Sequence, residues 1–109
     1  VIEGSVEDYV VDLRQSSPTF LDWTMVELSK ENCAVFCVPE GFAHGYKVTS
    51  RIDPIFMYAI LGGQYRPDHE GGILWKDSRI AIDWGVTKAT VSEKDAALKP
   101  FDQNAIVFE

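Results

Sequence analysis

The sequence predicts an all-β protein, a sandwich or a barrel, with one short helix near its C-terminal end. Two observations support this prediction. Six or seven short apolar or alternating segments follow one another, and glycine, proline or polar turns separate them. Only the segment from Ser92 to Leu98 has helical composition, with a capping serine, an acidic residue three positions later and Pro100 beyond its end.

Length and composition limit the possible classes of protein. The 109 residues, of which 46% are hydrophobic, fit one domain spanning residues 1–109, and no linker or repeat divides them. The net charge of -7 argues against a nucleic acid or an anionic membrane as partner. The sequence contains no apolar run long enough to span a bilayer and no leader-like segment. We therefore expect a soluble protein.

The first predicted strand runs from Ser5 to Leu13 and has one oily face and one partly acidic face. The acidic face contains Asp8 and Asp12. In an ordinary sandwich this face would meet water, whereas in a barrel it would line a cavity. Both interpretations remain open at this point. A turn from Gln15 to Thr19 follows, since Pro18 restricts the backbone there.

Further strands are predicted at Trp23 to Leu28, Cys33 to Val38, Phe42 to Thr49, Ile55 to Leu61 and Arg79 to Trp84. The segment from Ile55 to Leu61 is apolar on both faces and is expected to be a central, doubly covered strand. In an extended segment Cys33 and Cys37 are too far apart for a disulfide. Two free thiols suit a reducing compartment and therefore the cytoplasm.

His44 is the candidate functional residue that the pattern itself indicates. It lies in the stretch VPEGFAHGYK, where Phe42, His44 and Tyr46 share one face of the predicted strand. Such a histidine is either a hydrogen-bonded core residue or part of a pocket, since its charge changes near neutral pH. No closely spaced cysteines or histidines gather near His44 or His69, so no metal site is predicted.

Five stretches together resemble one family: VVDLRQSSPTF, LSKEN, VPEGFAHGY, IDW and SEKDAAL. In this order and spacing they are similar to the dTDP-4-dehydrorhamnose 3,5-epimerases, which are metal-free sugar-nucleotide isomerases with a cupin-type jelly-roll fold. The resemblance extends from Val1 to about Leu98. It implies a cupin-like jelly-roll sandwich or barrel, a dTDP-4-keto-6-deoxy sugar or related nucleotide sugar as ligand, and no cofactor.

The resemblance also implies roles for single residues. Family members invert C3 and C5 of a 4-keto-6-deoxy sugar by removing a proton beside the ketone and returning one to the opposite face. Tyr58, in FMY, matches the tyrosine that acts as the acid. Asp83, in IDW, matches the carboxylate that orients the catalytic histidine. His44 matches a second histidine of the substrate pocket, and Tyr65 matches a pocket tyrosine.

One departure from the family pattern affects the expected activity. The catalytic-base histidine of the family, in an RGLHYQ-like motif, and a helpful lysine come before the point that matches Val1. No residue of this sequence matches them, so we expect a jelly roll that is incomplete at its N-terminus and catalytically incomplete. The alternatives are a non-catalytic binding or assembly module and a remnant without a ligand. Uncovered apolar edges then predict a homodimer or a higher oligomer.

Overall fold

The computed structural model describes residues 1–102 and 107–109. Its centre is strand β1, Ser5–Asp12, which is flanked by β2, Trp23–Ser29, and by β3, Phe42–Val48. Both neighbours pair with β1 in antiparallel orientation, and the strand order is β2-β1-β3. The sheet is open, with β2 and β3 at its edges. These three strands confirm the predictions for the corresponding segments.

The register gives the sheet two different faces. Residues directly opposite each other in antiparallel strands project to the same side. Asp8 lies opposite Tyr46, and Val10 lies opposite His44, on what we call the histidine face. Val11 lies opposite Ala43 on the other side, which we call the core face. The histidine face therefore carries Asp8 and His44, and the core face carries Val11 and Ala43.

The hydrophobic core lies on the core face. Val11 and Leu13 form a buried cluster with Ile80 and Phe101, which arrive from the second half of the chain. Partly buried apolar side chains complete the cluster: Phe20, Leu21, Ala43, Ile73, Ile82 and Val107. The burial of these side chains removes apolar surface from water, which is the main contribution to the stability of such a fold. The core thus ties the irregular segments after β3 to the sheet.

The acidic residues of β1 are buried, so of the two interpretations left open for this face the one in which it meets water is wrong. Asp8 and Asp12 are each only 2% exposed. Each carboxylate has polar partners that compensate its burial, His44 for Asp8 and Arg14 for Asp12. β1 is therefore buried on both faces and is the central strand of the sheet. The sequence predicted a central strand at residues 55–61 instead, because that segment is apolar on both faces.

The segment from Ile55 to Leu61 is not a strand. Its one backbone pairing among the described residues is an isolated bridge between Glu3 and Ile55. Met57 and Leu61 are 72% and 83% exposed, so the predicted double cover is also wrong. A strand needs a neighbouring chain that supplies hydrogen bonds, and an apolar sequence does not by itself provide one.

Two other predicted strands are wrong for local reasons. After β2, the Asn32 side chain accepts hydrogen bonds from the backbone, and Cys33 has a positive φ of 50°, which directs residues 33–38 into a loop. At Arg79 to Trp84, the Asp77 carboxylate accepts the N–H groups of residues 79 and 80, so they are unavailable to a ladder. The alternation is confirmed even so, because Ile80 is buried and its two neighbours are exposed.

The predicted helix is confirmed as α1, Glu93–Ala96. The Ser92 side chain accepts a hydrogen bond from the backbone N–H of Asp95, as the capping pattern indicated. A short 3-10 turn, Pro67–His69, precedes it. Both cysteines are free and exposed. None of the helices within the described ranges has the length and apolar character that crossing a bilayer requires.

Candidate functional site

A broad, open cleft of about 1620 Å³ borders the sheet. Residues of β1 and β3 border one side of it, and the segments around residues 68–75 and 80–92 border the others. His44 and Tyr58 both line it. The structure thus brings two of the four predicted site residues to one cavity.

His44 is held on the cleft wall by Asp8. Its Nδ1 lies 3.1 Å and 3.4 Å from the two carboxylate oxygens of Asp8. Because Val10 lies directly opposite His44, Asp8 is the diagonal neighbour two residues earlier on the same face. The Asp8 side chain is 3% exposed and the His44 side chain 41%. A buried carboxylate therefore sits behind an accessible imidazole, and none of the described residues occupies Nε2.

The hydrogen bond that His44 Nδ1 donates to the Asp8 carboxylate raises the pKa of His44 above its ordinary value, and partial burial opposes this only in part. His44 therefore keeps its positive charge at a higher pH than a free histidine does. Because the folded-state pKa is the higher one, the pair contributes stability in full below the unfolded-state pKa of about 6.5. That contribution is lost as the pH rises through the raised folded-state pKa.

Replacing Asp8 with asparagine is expected to lower the pKa of His44, since the amide keeps the shape of the carboxylate but not its charge. The free energy of unfolding should fall by about 1 kcal/mol at pH 6, a modest loss because His44 is partly exposed. Titration of the imidazole C–H signals by NMR measures the first effect. Glu27→Gln is the control, because Glu27 is an exposed carboxylate on the core-face side of β2. Identical titration of His44 in Asp8→Asn and wild type would contradict the assignment.

Tyr58 lines the cleft but is not the covered residue that the sequence predicted. It is 72% exposed. Its ring lies 6.5 Å from that of Phe56, which in turn lies 4.8 Å from the ring of Tyr46 on β3. This aromatic series connects Tyr58 to the same strand that carries His44.

Asp83 and Tyr65 lie outside the lining of the cleft. Asp83 is exposed, and its Oδ1 accepts the backbone N–H of Gly85 at 2.9 Å. Its neighbours Ile82 and Trp84 do line the cleft. Tyr65 is 67% exposed. These two predicted site residues therefore do not line the cleft together with His44 and Tyr58.

Two contacts at the candidate site were missed by reasoning from the sequence. Asp8 was recognised only as part of an acidic face, because alternation does not reveal which residue of another strand lies beside it. The ion pair between Lys47 and Glu7 was missed for the same reason. The signal available in the sequence was a pair of opposite charges, Glu7 in the first predicted strand and Lys47 in the strand that contains His44. Among the residues that the structure describes, no group of three or more histidine, cysteine or acidic side chains is arranged to hold a metal.

Comparison with known proteins gives consistent matches. The family described as dTDP-4-dehydrorhamnose 3,5-epimerase matches residues 1–103. The dTDP-4-dehydrorhamnose 3,5-epimerase of Methanothermobacter thermautotrophicus is 41% identical, over 97% of this chain and 58% of the relative. The enzyme of that name from Salmonella typhimurium is 44% identical, over 92% of this chain and 54% of the relative. The chain spans somewhat more than half the length of these curated relatives.

Solved structures agree with these matches. The dTDP-6-deoxy-D-glucose-3,5-epimerase of Legionella pneumophila, in complex with dTDP-4-keto-L-rhamnose, has a TM-score of 0.79 and 36% identity, covering 100% of this chain and 59% of that one. The dTDP-4-dehydrorhamnose 3,5-epimerase of Bacillus anthracis, with TDP and PPi bound, has a TM-score of 0.78 and 36% identity, over 93% of this chain and 57% of that one. The expected cupin-type jelly roll is confirmed, with a sheet that is not closed.

Proposed function

Because the chain belongs to the dTDP-4-dehydrorhamnose 3,5-epimerase family, we propose that it is an epimerase-like protein whose cleft binds a dTDP-4-keto-6-deoxy sugar or a related nucleotide sugar. The observation that carries the proposal is the pairing of buried Asp8 with His44 on the cleft wall. The Legionella relative holds a ligand of this chemical class.

His44 is the proposed substrate-binding residue at the ketone. Removing a proton beside a ketone places negative charge on the ketone oxygen, and a positioned cation stabilises that charge. The imidazolium of His44 supplies such a cation, because Asp8 raises its pKa and occupies only Nδ1. Tyr65 is proposed to contact the substrate as well, by family resemblance.

The catalytic roles are proposed for Tyr58 and Asp83. Tyr58 would return the proton, and its place on the cleft lining supports this. Asp83 would orient the catalytic-base histidine, for which residues 1–109 contain no match. We therefore propose that these residues do not epimerise the sugar without that base.

The second candidate function is a non-catalytic binding or assembly module. The exposed apolar side chains of residues 55–61 favour it, because large exposed apolar patches mark interfaces. Met57, Ile60 and Leu61 are between 60% and 83% exposed. We propose that a second copy covers them in a homodimer, and light scattering that finds a stable monomer at high concentration would contradict this.

We also propose that the protein works in the cytoplasm. The free, exposed thiols of Cys33 and Cys37 support this location. Such thiols persist in reducing compartments, where disulfides seldom form.

Binding and chemistry can be tested separately. In deuterated water, residues 1–109 are expected not to catalyse deuterium incorporation at C3 or C5 of dTDP-4-keto-6-deoxyglucose. The rate should equal that in buffer without protein. dTDP at ten times its dissociation constant should stabilise the protein by about 1.4 kcal/mol, or raise Tm by roughly 5–10 °C. Inorganic pyrophosphate is the control for binding that any polyanion would give.

The outcomes distinguish the hypotheses. Rapid incorporation at both carbons would contradict the proposed lack of a base. An unchanged Tm at millimolar dTDP would contradict binding and favour a remnant without a ligand. A Tm shift with dTDP-4-keto-6-deoxyglucose that is reduced in His44→Gln supports the role of His44 at the ketone.

A further inference from the structure

One peptide group, between Trp84 and Gly85, connects a lysine to a proposed catalytic carboxylate. Its carbonyl oxygen, on Trp84, accepts a hydrogen bond of 2.7 Å from Lys47 Nζ. Its N–H, on Gly85, donates to Asp83 Oδ1 at 2.9 Å. Since a peptide group is planar, fixing its oxygen also fixes the direction of its N–H. Lys47 and Asp83 are thereby linked without touching each other.

Lys47 is itself held firmly. It lies opposite Glu7 in the register of β1 and β3, and its ammonium group forms an ion pair with the Glu7 carboxylate. The Tyr9 hydroxyl donates to the same carboxylate at 2.7 Å. Both side chains of the ion pair are only 24% exposed. The hydrogen bond to Glu7 raises the pKa of Lys47, so the ammonium stays charged throughout the physiological range.

Contacts of the Trp84 side chain also fix the position of this peptide group. Its ring lies 4.3 Å from that of Tyr9, and its Nε1 donates to the carbonyl of Trp75 at 2.6 Å. The ring packs beside Gly45, where a Cβ would make an ordinary contact of 3.5 Å with Trp84 Cη2. Residue 84 is therefore fixed by its backbone and by both ends of its side chain.

We propose that Lys47 is a positioning residue for Asp83, acting through the Trp84–Gly85 peptide group. The proposal rests on the function proposed above for Asp83, and it adds a residue that the family motifs do not contain. The ammonium of Lys47 polarises the carbonyl, which strengthens the N–H that faces the Asp83 carboxylate. The carboxylate is thus held in one direction, ready to orient a histidine.

Removal of the ammonium group would free this peptide to turn. The Trp84 carbonyl would then take hydrogen bonds from water, and Gly85, whose φ is 67°, tolerates many backbone conformations. The Asp83 carboxylate would lose its fixed donor. A small misplacement of a catalytic group costs roughly 100-fold in rate, so the effect on the reaction should be large.

The test compares Lys47→Met with Lys47→Arg and with the control Lys30→Met, in the complete gene product that contains residues 1–109. Lys30 also forms an ion pair, with Glu3 at 2.8 Å, but it does not line the cleft. NMR follows the Gly85 amide and the Asp83 carboxyl carbon. Both signals should move in Lys47→Met, return toward their wild-type positions in Lys47→Arg, and stay unchanged in Lys30→Met. Unchanged signals in Lys47→Met would overturn the proposal.

Kinetics provide the second measurement where the complete gene product exchanges deuterium into the sugar. Lys47→Met should lower kcat by about 10-fold to 100-fold with KM unchanged, and Lys47→Arg should restore most of it. An unchanged kcat, or a parallel change of kcat and KM, would overturn the positioning role. If the wild-type gene product shows no exchange, the catalytic role proposed for Asp83 fails, and the NMR signals alone decide whether Lys47 orients Asp83.

Discussion

Replacing Asp12 with asparagine is expected to lower the free energy of unfolding by about 3 kcal/mol. The buried carboxylate accepts two hydrogen bonds from the Arg14 guanidinium, at 2.9 Å each, and one from the Arg14 backbone N–H. The hydroxyls of Ser17 and Thr19 donate to it as well, at 2.6 Å and 2.7 Å. An asparagine amide would bring its own N–H groups against some of these donors. Urea or thermal unfolding measures the loss.

The pH dependence provides a second check on the same residue. Hydrogen bonding from Arg14 holds the pKa of Asp12 far below its usual range, although burial opposes this. A carboxyl group with a lowered folded-state pKa contributes stability that is complete above the unfolded-state pKa of about 3.9. The advantage of wild type over Asp12→Asn should therefore be constant near neutral pH and shrink as the pH falls below about 4.

Asp22→Asn is the matched control, because Asp22 is exposed and its side chain takes no part in the network around Asp12. Its effect should stay within about 0.5 kcal/mol. If the two variants lost equal stability, the network around Asp12 would not be the cause.

Replacing Leu13 with alanine is expected to cost about 3 kcal/mol, within the range of roughly 2–5 kcal/mol for buried leucines. Leu13 is 1% exposed and packs in the cluster with Val11, Ile80 and Phe101. Its truncation would leave a cavity where the first strand meets the second half of the chain. The segment around Ile80 should then lose protection from hydrogen exchange before the β1–β2 pairing does.

Leu61→Ala removes the same atoms from a leucine that is 83% exposed. We expect a change below about 0.5 kcal/mol for the monomer, because no core contact is lost. A loss as large as that of Leu13→Ala would show that Leu61 is covered in solution, as the proposed homodimer requires. The pair of variants therefore measures the core and checks the proposed interface together.

The sequence predicted those elements whose pattern and partners are local or strongly periodic. Strands β1, β2 and β3 were predicted within one or two residues, and helix α1 was predicted from its serine cap. The alternation at Arg79 to Trp84 predicted which side chains are buried, although no strand forms there. Periodicity reports which side of a segment meets the core, and this holds for an extended loop as well as for a strand.

The candidate site was predictable only in part. The motifs led to His44 and Tyr58, and the structure brings both to one cleft. They did not indicate Asp8, because its contact with His44 depends on the register of β1 against β3. The coupling of Lys47 to Asp83 depends in addition on where an irregular segment crosses the sheet. Neither contact can be predicted from the spacing of residues along the chain.

The sequence by itself thus determined the family, the all-β class, the three strands of the sheet and the capped helix, and it indicated His44 as a candidate site residue. The tertiary structure decided that β1 is the central strand, that Asp8 and Asp12 are buried, and that residues 55–61 lie exposed without a ladder. The physical reason is that local patterns set the conformation and the two faces of a segment. Burial and pairing, by contrast, depend on which other segments are present to cover it and to supply hydrogen bonds.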